Sequence, residues 1–295
     1  MTARGVIRLS AFLILAQGPF LEAADWPQWR GGGQDGAVRE TRLAGAPALD
    51  LAVAWRKPLG SGYSSVSVLD DLGVTMASDG VRDWVLAFDA ASGVEKWRFD
   101  IGAAFFGRSG SDDGPMSTPA IDGEDVFLLT PAGRLLALDA ASGELEWEHQ
   151  LERDFGSEPD YYGYSTAPIV AADRLYLLAG GREGAMLVAF DRRTGEVAWK
   201  AGSDPVAHRN LRVVPLAGVE QVVAPADASV TGFATTDGRE LWRLDFEEGS
   251  PSGGAVPIDG SRILVTQWDK SHLVEVTSGP GGGDTGLVGI LSLLS

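Results

Sequence analysis

An eleven-residue pattern, A-x-D-x-x-(S/T)-G-x-x-x-W, occurs three times, at Ala87 to Trp97, Ala137 to Trp147 and Ala189 to Trp199, with its tryptophans 50 and 52 residues apart. A period of this length means one structural unit used repeatedly, each copy burying its faces on its neighbours. A fourth copy, Gly232 to Trp242, keeps Phe233, Gly238 and Trp242 but has Ala234 and Asp237 where the others carry Asp and Ser or Thr. Trp55, in Val53-Ala54-Trp55-Arg56, lies 42 residues before Trp97 and reads as the closing half of a further copy.

Each copy is a hairpin corner. The apolar run Val85 to Phe88 is a strand, Asp89 can accept backbone N–H bonds across the turn, and Gly93 supplies a positive φ that a side chain would resist. In the strand that follows, Glu95, Trp97 and Phe99 share one face, which presents the indole at a fixed distance from the corner, where it can cover a neighbouring unit. Upstream of the corners lies another pair of strands, seen at Ser117 to Leu129 and again at Thr166 to Leu178. Four strands per repeat of roughly 40–50 residues, with a tryptophan locked to the period, are the mark of propeller blades. The fold expected is all-β: a β-propeller of four-stranded antiparallel blades. Asp89, Gly93, Trp97, Asp139, Gly143, Trp147, Asp191, Gly195, Trp199, Gly238 and Trp242 are then a structural docking set, the Asp residues turn formers and the Trp residues inter-blade core.

The corner closely resembles the tryptophan-docking motif of the quinoprotein-like, pyrroloquinoline-quinone-repeat β-propellers. Asp25-Trp26-Pro27-Gln28-Trp29-Arg30-Gly31 looks like the entry segment of exported bacterial members of that group, and the resemblance covers residues 25 to 278. It implies a fold far more specifically than an activity, because the motif marks blade packing in enzymes and non-enzymatic scaffolds alike. Residues 63–99, 115–149, 162–201 and 209–245 make four blades, and 252–277 about three strands of a fifth. Pairing Val53–Pro58 with that last partial blade would close the ring. Relatives of this kind usually carry seven or eight blades, so the chain reads as a truncated version of a longer propeller or as a compact five-bladed ring. In both readings 279–295 is an irregular or disordered tail.

Residues 1–24 run from Arg4 and Arg8 through the apolar stretch Leu9 to Ala16 and resemble an export signal, which places the remaining chain in the periplasm or outside the cell, with no transmembrane segment. With 41 acidic residues against 24 Lys and Arg, a net charge of −17 argues against nucleic acid as a partner. The absence of cysteine closes off disulfides, thiolate chemistry and a lipidated amino-terminal cysteine.

Local signatures of catalysis are lacking. His149, His208 and His272 stand in different repeats without metal-ligand spacing, no GxSxG elbow occurs, and Asp112-Asp113 lacks the alternation of a calcium loop. The resemblance implies, for the quinone-dependent alcohol dehydrogenases, a calcium-held cofactor and often a vicinal disulfide, and the disulfide is impossible here. No cofactor is therefore expected, pyrroloquinoline quinone (PQQ) with calcium being the alternative. The loops 102–115, 152–164 and 203–209 link successive blades and fall on one rim. Phe105, Phe106, Arg108, Tyr161, Tyr162, Tyr164 and Arg209 would put aromatic and cationic groups there, the types enriched at interfaces, unless they plug the channel or pack under their own loops. The expected function is a non-catalytic, exported, monomeric scaffold whose rim binds an envelope or periplasmic protein, similar in architecture to the envelope propeller that assists outer-membrane protein assembly. The alternative is a PQQ-dependent dehydrogenase or a degenerate, truncated relative of one.

Overall fold

The computed structural model describes residues 25–38, 52–107, 114–206, 209–247, 249, 251, 254–267, 270–278 and 285–293. Residues 1–24, where an export signal is expected, and Arg108, Asp112, Asp113 and His208 lie outside them. Among the described residues, twenty strands form five antiparallel sheets of four, each in simple up-and-down order. The first blade is β1 (Ser67–Leu69), β2 (Leu72–Ser78), β3 (Arg82–Asp89) and β4 (Glu95–Ala103). The second is β5 (Ala120–Asp122), β6 (Asp125–Leu129), β7 (Arg134–Asp139) and β8 (Leu145–Gln150), followed by a single helical turn, α1 (Leu151–Phe155). The third is β9 (Ile169–Ala171), β10 (Arg174–Leu178), β11 (Leu187–Asp191) and β12 (Val197–Ala201), and the fourth β13 (Arg212–Leu216), β14 (Val219–Pro225), β15 (Ser229–Ala234) and β16 (Glu240–Asp245). The fifth is β17 (Val256–Pro257), β18 (Arg262–Thr266), β19 (Ser271–Ser278) and β20 (Thr285–Leu293).

The expected blades are present, with two corrections at the ends of the chain. The fourth strand of the last blade is β20, paired with β19 along its length, so residues 285–293 are a strand and not an irregular tail. Val53–Pro58 join no ladder and do not close the ring by pairing with that blade. The reason lies in β19 itself: every third strand carries a register shift just before its corner, at Ala87/Phe88, Ala137/Leu138, Ala189/Phe190 and Gly232/Phe233, and β19 repeats it at Glu275/Val276. A bulge bends and twists the strand toward the corner. The last sheet is thus built to turn and receive a fourth strand from the chain that follows it.

The hydrophobic core is divided by blade interfaces. One buried cluster joins the first and second blades through Val74, Trp97 and Leu136, and the next joins the second and third through Phe127, Leu151 and Phe190. A third cluster includes Leu187, Trp199 and Val222, and a fourth Val230, Trp242 and Ile263. Because each sheet is apolar on both faces, central strands such as β7 and β11 read as unbroken hydrophobic runs.

The first strands β1, β5, β9 and β13 contact one another from blade to blade, which places them innermost, at the axis. Polar bonds reinforce this: Ser67 Oγ donates to the Pro119 carbonyl at 2.6 Å and Ser117 Oγ to the Thr166 carbonyl at 2.9 Å. The repeated Ser/Thr-x-Pro segments ahead of β5 and β9 thus supply the carbonyls of Pro119 and Thr166, and Ser117 a hydroxyl, for the bonds that tie one inner strand to the next.

Candidate functional site: docking corners, loop rim and axis

The corners behave as their chemistry requires. Asp89 Oδ1 accepts Ser92 N at 2.8 Å and Ser92 Oγ at 2.6 Å, and Asp139 does the same with Ser142 at 2.7 and 2.6 Å. Asp191 Oδ1 accepts Arg193 N and Thr194 N at 3.0 and 3.1 Å. These bonds hold all three carboxyls below their ordinary range, the Ser or Thr partner being the first cause in each case. The decayed copy keeps the backbone turn, Gly238 N to the Ala234 carbonyl at 3.0 Å, and moves its carboxylate to Asp237, which caps Arg239 N.

Each indole docks on the next blade's corner. Trp55, Trp97, Trp147 and Trp199 donate Nε1–H to the carbonyls of Ala90, Ala140, Arg192 and Thr235, each the residue that follows the corner's first position. The rings lie over Gly93, Gly143, Gly195 and Gly238, where a Cβ would stand 2.5–2.7 Å from a ring atom. Trp242 departs from the series, donating within its own blade to the buried Gln221 Oε1.

Of the rim residues, some are brought together and others are spent on structure. The Phe105 ring reaches Gly163, whose Cβ would lie 3.0 Å from it, and Tyr161 stands edge-on to Tyr162 with centroids 4.8 Å apart. Phe106 is 60% exposed. Tyr164, by contrast, points inward: it covers the Gly133 turn and joins the core between the second and third blades, and burial raises its phenol pKa. Arg209 is committed to the Pro251 carbonyl at 2.8 Å and Asp227 at 2.6 Å. Tyr63, which belongs to no motif, is 57% exposed, and its N–H bonds to Pro115, whose neighbour Gly114 donates to the Phe105 carbonyl. Its only sequence signal is its place at the start of the first blade.

Asp83 fixes the base of this rim. It is 2% exposed, its Oδ2 accepts Phe105 N at 3.1 Å, and its Oδ1 has no partner. Burial, the leading cause, raises its pKa. A carboxyl raised in the folded state favours folding below its unfolded pKa of about 3.9 and loses that advantage as pH rises through the folded value. Asp83→Asn should therefore match or exceed the native Tm at pH 7, the gap closing as pH falls below about 4. Parallel thermal melts from pH 3.5 to 7 check it; a variant uniformly less stable by the same amount throughout would contradict the burial argument.

The remaining polar clusters are structural. A cleft of about 520 Å³ beside α1 is lined by His149, Arg153, Asp154, Phe155 and Lys200, but both imidazole nitrogens are engaged, Nδ1 with Asp154 at 3.2 Å and Nε2 with the Gly195 carbonyl at 2.7 Å. Asp125 and Glu146 both have raised carboxyl pKa values, burial being the first cause in each; the Asp125 charge adds to it at Glu146, and the Asp122 and Glu124 charges at Asp125. Arg192 binds Asp122 at 2.7 Å beside them, directly under the Trp147 docking carbonyl. This network braces a corner.

A quinone with calcium would need acidic ligands and an open channel. Among the described residues no group of three His, Asp or Glu side chains could hold a metal ion. The axial edges of β1, β5, β9 and β13 are occupied by residues 26–34 of the chain itself. Asp112 and Asp113, the acidic pair weighed for calcium, lie outside the described residues.

The family model described as outer membrane protein assembly factor BamB matches residues 81–226. Quinohemoprotein alcohol dehydrogenase ADH IIB of Pseudomonas putida is 33% identical over 158 residues, covering 51% of this chain and 22% of the dehydrogenase. The chain thus spans under a quarter of that relative's length. Among solved structures, BamB from Moraxella catarrhalis superposes with a TM-score of 0.55 at 21% identity, over 83% of this chain and 68% of that one. Quinohemoprotein alcohol dehydrogenase from Comamonas testosteroni gives 0.64 at 17% identity, over 92% and 49%. At these identities the two structures speak to the fold alone.

Proposed function

Starting from a chain built of the repeats of the quinoprotein-like β-propellers, we propose that it is a non-catalytic interaction scaffold, exported to the cell envelope, that binds a protein partner through its loop rim. The observation that carries this reading is the Phe105 ring against Gly163, next in the chain to the Tyr161–Tyr162 pair, with exposed Phe106 adjoining it and exposed Tyr63 tied to the same loop through Pro115 and Gly114. Aromatic side chains supply large contact area at low entropic cost, which suits them to anchor an interface. The BamB-type match over the central blades supports an envelope setting. The apolar stretch before Ala16 supports export.

The test is capture of envelope proteins by the intact chain and by a variant with Phe105, Phe106, Tyr161 and Tyr162 replaced by Ala. A control replaces the exposed Leu145 and Val197 on the outer strands. Loss of a partner from the rim variant alone, with at least a tenfold weaker Kd as expected when interface anchors are truncated, supports the assignment. Equal capture by all three proteins sinks it.

A further inference from the structure

We propose that residues 25–38 are an axial strap that staples the innermost strands of four blades and fills the channel position where a propeller of this class would hold a flat ligand. The strap and the first blade form a true antiparallel bridge: Trp26 N donates to the Val68 carbonyl at 2.8 Å, and Val68 N returns to Trp26 at 2.9 Å. Ile121 N, in the second blade, then donates to the Pro27 carbonyl at 2.7 Å. In the third and fourth blades two glutamine side chains take over, Gln28 Oε1 accepting Val170 N and Gln34 Oε1 accepting Val213 N, both at 2.9 Å.

The inner edge of every blade is a row of unpaired backbone N–H groups, costly to bury without acceptors. Val68, Ile121 and Val170 occupy the middle of their three-residue strands, and the strap supplies an acceptor to each in turn. The fourth blade shows the same logic under constraint. Alignment on the turn residues Asp70, Gly123, Ala172 and Ala217, all at positive φ, puts Pro215 in the equivalent place. Proline has no N–H. The strap instead bonds two residues earlier, at Val213.

The strap is also packed. Gln28 and Gln34 are 6% and 4% exposed, and the Gly31 backbone lies against the Trp26 ring, where a Cβ would be 2.9 Å away. Arg212, 1% exposed, lies with its guanidinium 5.7 Å from the Trp29 ring centroid and donates Nη1 to the Gln34 carbonyl. Burial lowers its pKa to about 10, and Nε and Nη2 have no partner. A buried cation with spare donors at the axis is what a ligand carboxylate would seek. Here the strap's own indole and carbonyl hold that guanidinium, a cation–π contact partly offsetting desolvation. The channel is therefore closed to a planar quinone by the chain itself.

The two glutamines make the inference separable from global stability, since each has its own reporter amide. By hydrogen exchange, Gln28→Ala should speed Val170 about tenfold while leaving Val213 unchanged, and Gln34→Ala should do the reverse. Core amides at Val74 and Val222 serve as the reference in both. In the native chain all four bonded amides should be protected, a measurement that stands even if a variant fails to fold. Addition of PQQ with calcium to the native chain should give no saturable change in tryptophan fluorescence. Loop-like exchange of Ile121, Val170 and Val213 in the native protein, equal effects of either substitution on both reporters, or saturable quinone binding would each overturn the strap. These readouts are independent of the rim, so failure here and failure of the scaffold reading are distinguishable.

Discussion

Gly143→Val should destabilise the protein by about 2–5 kcal/mol, a loss with two separable sources. Gly143 sits at φ +74, in the left-handed region, and a branched side chain held there costs roughly 1–2 kcal/mol. The added Cβ would also stand 2.6 Å from the Trp97 ring, so the indole must move and the interface between the first two blades must open, adding about 1–3 kcal/mol. Gly123 isolates the first source: it lies at φ +62 in a hairpin turn with nothing within 4 Å of its would-be Cβ. Urea melts of Gly143→Val and Gly123→Val should therefore differ by the clash alone. Equal losses would mean that the docking indole does not need glycine beneath it.

Trp97→Ala should cost about 3–5 kcal/mol, the range for deleting a large buried aromatic. The indole is 9% exposed, sits in the cluster joining the first two blades, and bonds to the Ala140 carbonyl at 2.8 Å. Trp97→Phe keeps much of the apolar area but abandons that carbonyl, so a smaller loss is expected, with about 1 kcal/mol of it from the bond. The decisive measurement is the cycle with Gly143→Val. With the indole gone, only the backbone strain of valine remains, and the double variant should be more stable than the sum of the single losses by about 1–3 kcal/mol. Strict additivity would show that Trp97 and Gly143 do not meet as the structure has them.

The corners, the blades and the docking role of the tryptophans were legible because they are local. Aspartate-to-serine bonds span three residues, Gly93 and its equivalents are needed by the turn they stand in, and a repeat places each indole relative to the next corner automatically. The rim was legible only in part. Residue type and loop position single out Phe105, Phe106, Tyr161 and Tyr162, but Tyr164 turns into the core and Arg209 onto Asp227, and nothing in their immediate sequence distinguishes them from their neighbours. Trp242 likewise keeps its place in the motif yet bonds to Gln221, a choice set by a buried acceptor 21 residues away.

What the amino-acid sequence determined by itself is the unit and its mode of stacking: period, turn chemistry and apolar runs are short-range properties that any four-stranded blade must satisfy. What only the tertiary structure decided is how the blade edges are closed. The outer edge of the last blade is taken by β20 and not by Val53–Pro58, and the inner edges are taken by a strap whose glutamines reach partners 142 and 179 residues away. Edge N–H groups donate to whatever carbonyl or amide oxygen arrives in register, and that demand leaves no periodic trace in the segment that meets it. An entry segment thus reads from sequence as a family resemblance and from structure as the piece that occupies the axis.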